Sequence, residues 1–180
     1  KGDRKNGFVR NGEGKEMDEK GRVVRSGCWV DEVYYLMIPS SLTSNPLGIE
    51  ELKIGNNGYN DDSVTELKLS WLARLKRIVI GEGCFRKVRV FELDGLSELE
   101  SVVIGKYSFT YAKEDCDIWN SKRSDGSYRI MNCPKLKSIQ IGNISFGDYR
   151  SFELSNLPSL QSIDIGVACF YYTPSFSLTG

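Results

Sequence analysis

Histidine is absent from the 180-residue chain. That removes the commonest general base, the Ser-His-Asp and Cys-His arrangements, and imidazole metal ligands. Nucleophilic capacity rests on five cysteines, Cys28, Cys84, Cys116, Cys133 and Cys169. They occur singly, without a CxxC pair, which argues against zinc. Their odd number argues against a closed disulfide framework. Glu114, Asp115 and Asp117 are near neighbours, but nothing marks a pocket that would split their roles into acid and base, so a solvated loop is the simpler reading. Asp61 and Asp62 follow Asn56, Asn57 and Asn60 without the spaced ligands and bidentate Glu of a calcium loop. No catalytic residue, metal or cofactor is therefore assigned. What remains is recognition chemistry. Trp119 stands among Asp115, Asp117, Lys122 and Arg123, an aromatic anchor flanked by both signs of charge, as in protein-binding hot spots. These five residues are the candidate partner-binding site.

Lys+Arg and Asp+Glu number 24 each, a formal net charge of zero. No large basic footprint for nucleic acid is present. Charged residues at 27% and hydrophobic residues at 40% give an ordinary globular balance. No apolar run approaches the ~20 residues of a membrane-spanning helix. The chain begins at Lys1, so the sequence leaves open whether a leader precedes it.

The elements that would position any site are set by an internal repeat. Residues 75–85, 99–109, 136–146 and 160–170 align without gaps on L-x-x-[IV]-x-I-G-x-x-[SC]-F, and Ile49, Leu52, Ile54, Gly55 and Tyr59 fill the same columns in a weaker fifth copy. Gly55, Gly81, Gly105, Gly142 and Gly166 are spaced by 26, 24, 37 and 24 residues. The period is 24, with one insertion of 13 residues between Phe109 and Tyr128. A second apolar–polar–apolar unit recurs between the copies: Leu67/Leu69, Phe91/Leu93, Tyr128/Ile130, Phe152/Leu154 and Phe176/Leu178. That alternation predicts half-buried strands, and no stretch sustains a capped helical period.

One coil of this size cannot bury its own Leu, Ile and Phe. Stacking like coils places each column against itself and makes a continuous core. The glycine after each I-x-I strand marks a corner that needs either a positive φ or close backbone approach. Cys84 and Cys169 share a column with Ser108 and Ser145, and Cys133 shares one with Leu72, Leu96 and Leu157. All three are read as small apolar fillers. Cys84 and Cys169 lie three coils apart, about 14 Å at a strand spacing of ~4.8 Å, too far for a disulfide. Lys68, Glu92, Arg129 and Glu153 fall between the paired apolar residues of the second strand and predict an alternating charge ladder on one outer face.

This unit resembles a leucine-rich repeat, specifically the BspA-type class, over about residues 33–180. It departs from common leucine-rich repeats where an Asn usually bonds the neighbouring coil: that column holds Gly83, Tyr107, Ile144 and Ala168. Residues 1–32 differ in character. Gly12, Gly14, Gly21, Gly27 and Trp29 are similar to one MORN repeat, a β-hairpin, although Arg25 stands where an aromatic is usual. The alternative there is a polar tail. Val33 to Ile38 is a candidate first solenoid strand.

The expected architecture is mainly β: a MORN-like hairpin over 1–32, then a leucine-rich-repeat solenoid of about five 24-residue coils over 33–180, with an insertion near 112–124. No polar capping coil is recognisable at either end, so a longer parent protein is expected. The resemblance implies a non-enzymatic protein–protein interaction or scaffold module. Two alternatives remain open: the regulatory arm of a larger enzyme, and a cell-surface adhesion protein. MORN-containing proteins are mostly intracellular and scaffold membranes or cytoskeleton, whereas BspA-type repeats occur in surface proteins. The unpaired cysteines favour the cytoplasm, with membrane association through the N-terminal hairpin a weaker expectation. The insertion has two open roles: a recognition loop, or a cover in which Ile118 and Trp119 fold back on the solenoid flank.

Overall fold

The computed structural model describes residues 50–60, 62, 64–111 and 125–180, together with the backbone of four strands between residues 3 and 35. Among the described residues the only regular elements are strands. No helix among them is long and apolar enough to cross a membrane.

The first four strands, β1 (Asp3–Lys5), β2 (Val9–Met17), β3 (Val23–Val30) and β4 (Val33–Tyr35), form one antiparallel sheet in sequence order. β2 and β3 pair as a hairpin with Gly14 opposite Gly27 and Gly12 opposite Trp29. The expected pairing of the glycine-rich segment is thus present. Val33–Tyr35 pairs antiparallel with β3, Trp29 opposite Tyr34, so this strand completes the N-terminal sheet and is not the first solenoid strand. Gly21 and residues 36–38 lie outside the described residues.

The remaining strands make two parallel sheets of five. One contains β5 (Glu51–Ile54), β7 (Arg77–Ile80), β9 (Ser101–Ile104), β11 (Ser138–Ile141) and β13 (Ser162–Ile165). The other contains β6 (Glu66–Lys68), β8 (Val90–Asp94), β10 (Gly126–Met131), β12 (Tyr149–Ser155) and β14 (Ser175–Thr179). Each coil contributes one strand to each sheet, which is a parallel β-solenoid of about five turns. The register keeps the sequence columns intact. Leu52, Ile78, Val102, Ile139 and Ile163 are successive partners in one sheet, and Leu67, Phe91, Tyr128, Phe152 and Phe176 in the other.

The predicted core columns are inside. Leu75, Leu99 and Leu136 are buried, with Leu160 packed partly buried against them. Tyr59, Phe85, Phe109, Phe146 and Phe170 form one run of stacked rings, with centroids 5.2, 5.0, 4.6 and 5.1 Å apart. A second run, Phe91, Tyr128, Phe152 and Phe176, has spacings of 5.0, 5.0 and 4.2 Å. The two runs meet edge to face, as in Phe91 with Phe109 at 76°, the arrangement that the ring quadrupoles favour.

The corner glycines serve close approach rather than a positive φ. A Cβ on Gly142 would lie 2.5 Å from the Lys106 nitrogen. The left-handed conformation falls two and four residues later and on ordinary side chains: Tyr107 and Phe109, Ile144 and Phe146, Ala168 and Phe170, with φ between 52° and 59°. Only one copy places a glycine there, Gly83 with φ 65°. These conformations turn N–H groups two residues apart along the solenoid axis in opposite directions. Tyr107 N–H donates forward to the Asn143 carbonyl (3.0 Å) and Phe109 N–H donates back to the Cys84 carbonyl (2.8 Å). Each inner coil is thereby tied to both neighbours, which offsets the ~1–2 kcal/mol of steric cost at each left-handed residue.

The column of Cys84, Ser108, Ser145 and Cys169 is not an apolar filler, contrary to expectation. Ser108 Oγ donates to the Gly81 carbonyl at 2.9 Å and accepts from the Cys84 N–H at 3.2 Å. Ser145 repeats both bonds one coil on, to the Gly105 carbonyl (2.9 Å) and from the Ser108 N–H (3.3 Å). Cys84 and Cys169 thiols donate to the Gly55 and Gly142 carbonyls at 3.0 and 3.1 Å. A Ser/Cys ladder thus satisfies the buried corner. At the opposite corner Asn156 donates to Asn132 (2.9 Å), and Asn132 donates to Asp94 (2.7 Å).

One core group is mismatched. The Tyr128 hydroxyl is buried in the second ring run without a hydrogen-bond partner among the described residues, and desolvation raises its pKa far above that of a free phenol. Tyr128→Phe keeps the stack and removes a desolvated hydroxyl. It is expected to stabilise the protein by about 1–3 kcal/mol, read as a raised unfolding midpoint. A lowered midpoint would mean that the hydroxyl has a partner.

Candidate interaction surface

The candidate partner-binding residues Asp115, Asp117, Trp119, Lys122 and Arg123, and with them Ile118 and Cys116, lie outside the described residues. The structure does describe both feet of the insertion. Tyr111 leaves the last turn of one coil with the Lys87 ammonium 5.0 Å from its ring centroid. Lys87 also meets Asp62 at 2.9 Å. Asp125, on the return, pairs with Arg89 at 3.0 Å. Below, Tyr149 donates its buried hydroxyl to the Val88 carbonyl at 2.8 Å and packs against Gly126, where a Cβ would lie 2.8 Å from the Tyr149 ring. Thr110 and Asp148 are buried in the same region.

The insertion disturbs neither flanking column. Phe109 stacks on Phe85 and Phe146, and Tyr128 on Phe91 and Phe152, at the same spacings as elsewhere in the runs. β10 holds its register with β8 and, through a single shift at Gly126/Ser127, with β12.

The outer faces carry charge ladders. Arg129 lies between Glu92 (3.8 Å) and Glu153 (3.5 Å), as expected. Lys68 departs from expectation: its closest partner is Glu66, within its own strand, at 3.0 Å, and that bond is the main reason its pKa is raised. A second ladder escaped the sequence reading. Lys76 meets Glu50 and Lys137 meets Glu100, each at 2.9 Å, and the lysine hydrogen bonds hold both carboxyls below the usual range. Lys135 meets Glu98 at 2.8 Å beside them. The signal was available, because the positions after Ile49, Leu75, Leu99 and Leu136 read Glu50, Lys76, Glu100 and Lys137. Exposed pairs of this kind set register more than stability.

A shallow trough of about 430 Å³ crosses four coils where the corner glycines lack side chains, bounded by Glu82, Val103, Lys106, Gln140, Asn143 and Asp164. The asparagines near Asp62 are structural staples. Asn60 donates to the Asn57 and Gly83 carbonyls and accepts from the Arg86 N–H. Among the described residues no group of three or more His, Cys, Asp or Glu is placed to hold a metal. Cys84, Cys133 and Cys169 are free thiols. Burial pushes the Cys84 pKa up to about 11 and raises the other two, so these thiols are poor nucleophiles at neutral pH.

No family model, no curated protein and no solved structure matches this chain.

Proposed function

We propose that the chain is a non-enzymatic protein-interaction module. Its solenoid, of the BspA-like leucine-rich-repeat type and preceded by a MORN-like hairpin, is a rigid mount for the insertion at 112–124. The supporting observation is the undisturbed stacking on either side of that insertion. An insertion between two intact ring runs lengthens the chain without displacing either, and loops on rigid repeat scaffolds are where recognition concentrates. The partner is a protein, engaged by Trp119 as the anchor with Asp115, Asp117, Lys122 and Arg123 around it. A cytoplasmic location, scaffolding at membrane or cytoskeleton, belongs to the same reading. Service as the regulatory arm of a larger enzyme is the second.

Deletion of residues 112–124 restores the 24-residue spacing, and loop shortening changes closure entropy only slightly. The deletion is expected to melt within a few degrees of the parent. Proteins retained from a cell extract by the immobilised parent should be lost both on the deletion and on Trp119→Ala, since a central aromatic anchor carries ~2 kcal/mol or more. A deletion that melts far below the parent, with the same proteins still retained by Trp119→Ala, supports the flank-cover role instead.

A further inference from the structure

The residues that follow the corner glycines form a column of their own: Asn56, Glu82, Lys106, Asn143 and Val167. Where this column holds Asn, the side chain caps the next coil. Asn56 Oδ1 accepts from the Glu82 N–H at 2.9 Å, and Asn143 Oδ1 accepts from the Val167 N–H at 3.0 Å. Both oxygens use space that a corner glycine leaves open. A Cβ on Gly81 would lie 2.5 Å from the first, and one on Gly166 would crowd the second. The two coils between are not capped in this way. One coil before Lys106 stands Glu82, whose carboxylate turns to the Lys106 ammonium at 3.7 Å. One coil before Asn143 stands Lys106, a side chain with no acceptor. Among the described residues neither the Lys106 N–H nor the Asn143 N–H has a hydrogen-bond acceptor. The trough of about 430 Å³ runs over these two coils and is lined by Lys106, Asn143, Gly105 and Gly142.

We propose that this trough binds an extended, uncharged glycan, whose oxygens take the two places that Asn56 and Asn143 fill for the neighbouring coils. Two open N–H groups call for acceptors. They belong to successive coils, so their separation is close to a strand spacing of ~4.8 Å. An extended peptide presents its same-side carbonyls about 6.6 Å apart and meets one N–H but not both in register. A linear pyranose chain repeats its hydroxyl and ring oxygens close to the coil spacing. The charge of the trough selects against an anion. Glu82 and Asp164 stand in its first and last coils, with Lys106 between them. Two carboxylates against one ammonium repel an anion, yet each carboxylate accepts readily from hydroxyls. Gln140 adds an amide that both donates and accepts, and half-buried Val103 offers apolar contact to ring C–H groups. The site rests on no residue of the insertion, so it stands or falls separately from the protein-binding reading.

The test titrates the ¹⁵N-labelled 180-residue chain with linear hexasaccharides of β-1,4-linked glucose, mannose or N-acetylglucosamine and follows the amide spectrum. At least one sugar should move the Lys106 and Asn143 amides saturably downfield, while the capped amides of Glu82 and Val167 move little. A β-1,4-linked hexauronate and an uncharged Gly/Ser hexapeptide should leave all four in place. The double variant E82N/K106N supplies both missing caps from within the chain. It should melt above the parent and bind the sugar about tenfold more weakly, the loss expected for two modest hydrogen bonds. K106M removes the ammonium without adding a cap and should still bind. Several results would each overturn the proposal: no sugar moving the two amides at its highest soluble concentration, which leaves them to water; the peptide or the hexauronate moving them in preference; or a folded double variant that binds like the parent.

Discussion

Phe109→Ala is expected to cost ~3–5 kcal/mol, the range for truncating a large buried aromatic. The ring is fully buried, stacked between Phe85 at 5.0 Å and Phe146 at 4.6 Å, with the edge of Phe91 at 5.2 Å. Its removal opens a gap in the middle of the run, where coils on both sides are hydrogen-bonded in place and cannot collapse into it. Glu92→Ala is the control from the outer face of the same region. Glu92 lies 3.8 Å from Arg129, which keeps Glu153 at 3.5 Å, so the loss should stay below ~1 kcal/mol. Urea unfolding of both variants compares them directly. Equal losses would show that the inside and outside of the coils have been exchanged.

Gly142→Ala is expected to cost ~1–3 kcal/mol or more, as overpacking against atoms that cannot yield. The new Cβ would stand 2.5 Å from the Lys106 nitrogen and 2.8 Å from the Gly105 carbonyl carbon. Gly105→Ala meets the Gly81 carbonyl carbon at 2.6 Å and the Glu82 nitrogen at 2.7 Å. In both cases the obstacle is backbone of the preceding coil, so the coils must part and weaken the ladder bonds beside them. Gly95→Ala separates crowding from conformation. Gly95 has φ 69° and nothing within 4 Å of its Cβ position, so only the left-handed penalty of ~1–2 kcal/mol applies. Calorimetry of the three variants should place Gly142→Ala and Gly105→Ala below Gly95→Ala in melting temperature. The opposite order would mean that the corners are conformational turns and not contact points.

The columns were legible because a repeat aligns each residue with its own spatial neighbours. Leu75 above Leu99 and Phe85 above Phe109 are statements about sequence spacing and about packing at once. The corner chemistry was not legible. Ile144 is β-branched, and no propensity argument places it at φ 59°. Without that backbone path there is no reason for Ser108 and Cys84 to face a carbonyl of the preceding coil, so the column was read only by its size. Val33–Tyr35 was ambiguous for a different reason. A short apolar strand fits an antiparallel or a parallel neighbour equally well, and here it pairs with the strand immediately before it, Val30 opposite Val33 and Trp29 opposite Tyr34. The chemistry of Trp119 and its charged neighbours was legible as composition, whereas its placement depends on an insertion outside the described residues.

The stacked, in-register solenoid underlies the mount for the insertion. Its most direct test is a ¹³C-edited NOE experiment on the aromatic side chains of the labelled chain. The account predicts ring-to-ring contacts between Phe85 and Phe109, Phe109 and Phe146, and Phe146 and Phe170. It predicts none between Phe85 and Phe146, whose rings are two coils apart. Contacts that skip a coil, or Phe rings that relax as solvent-exposed groups, would contradict it.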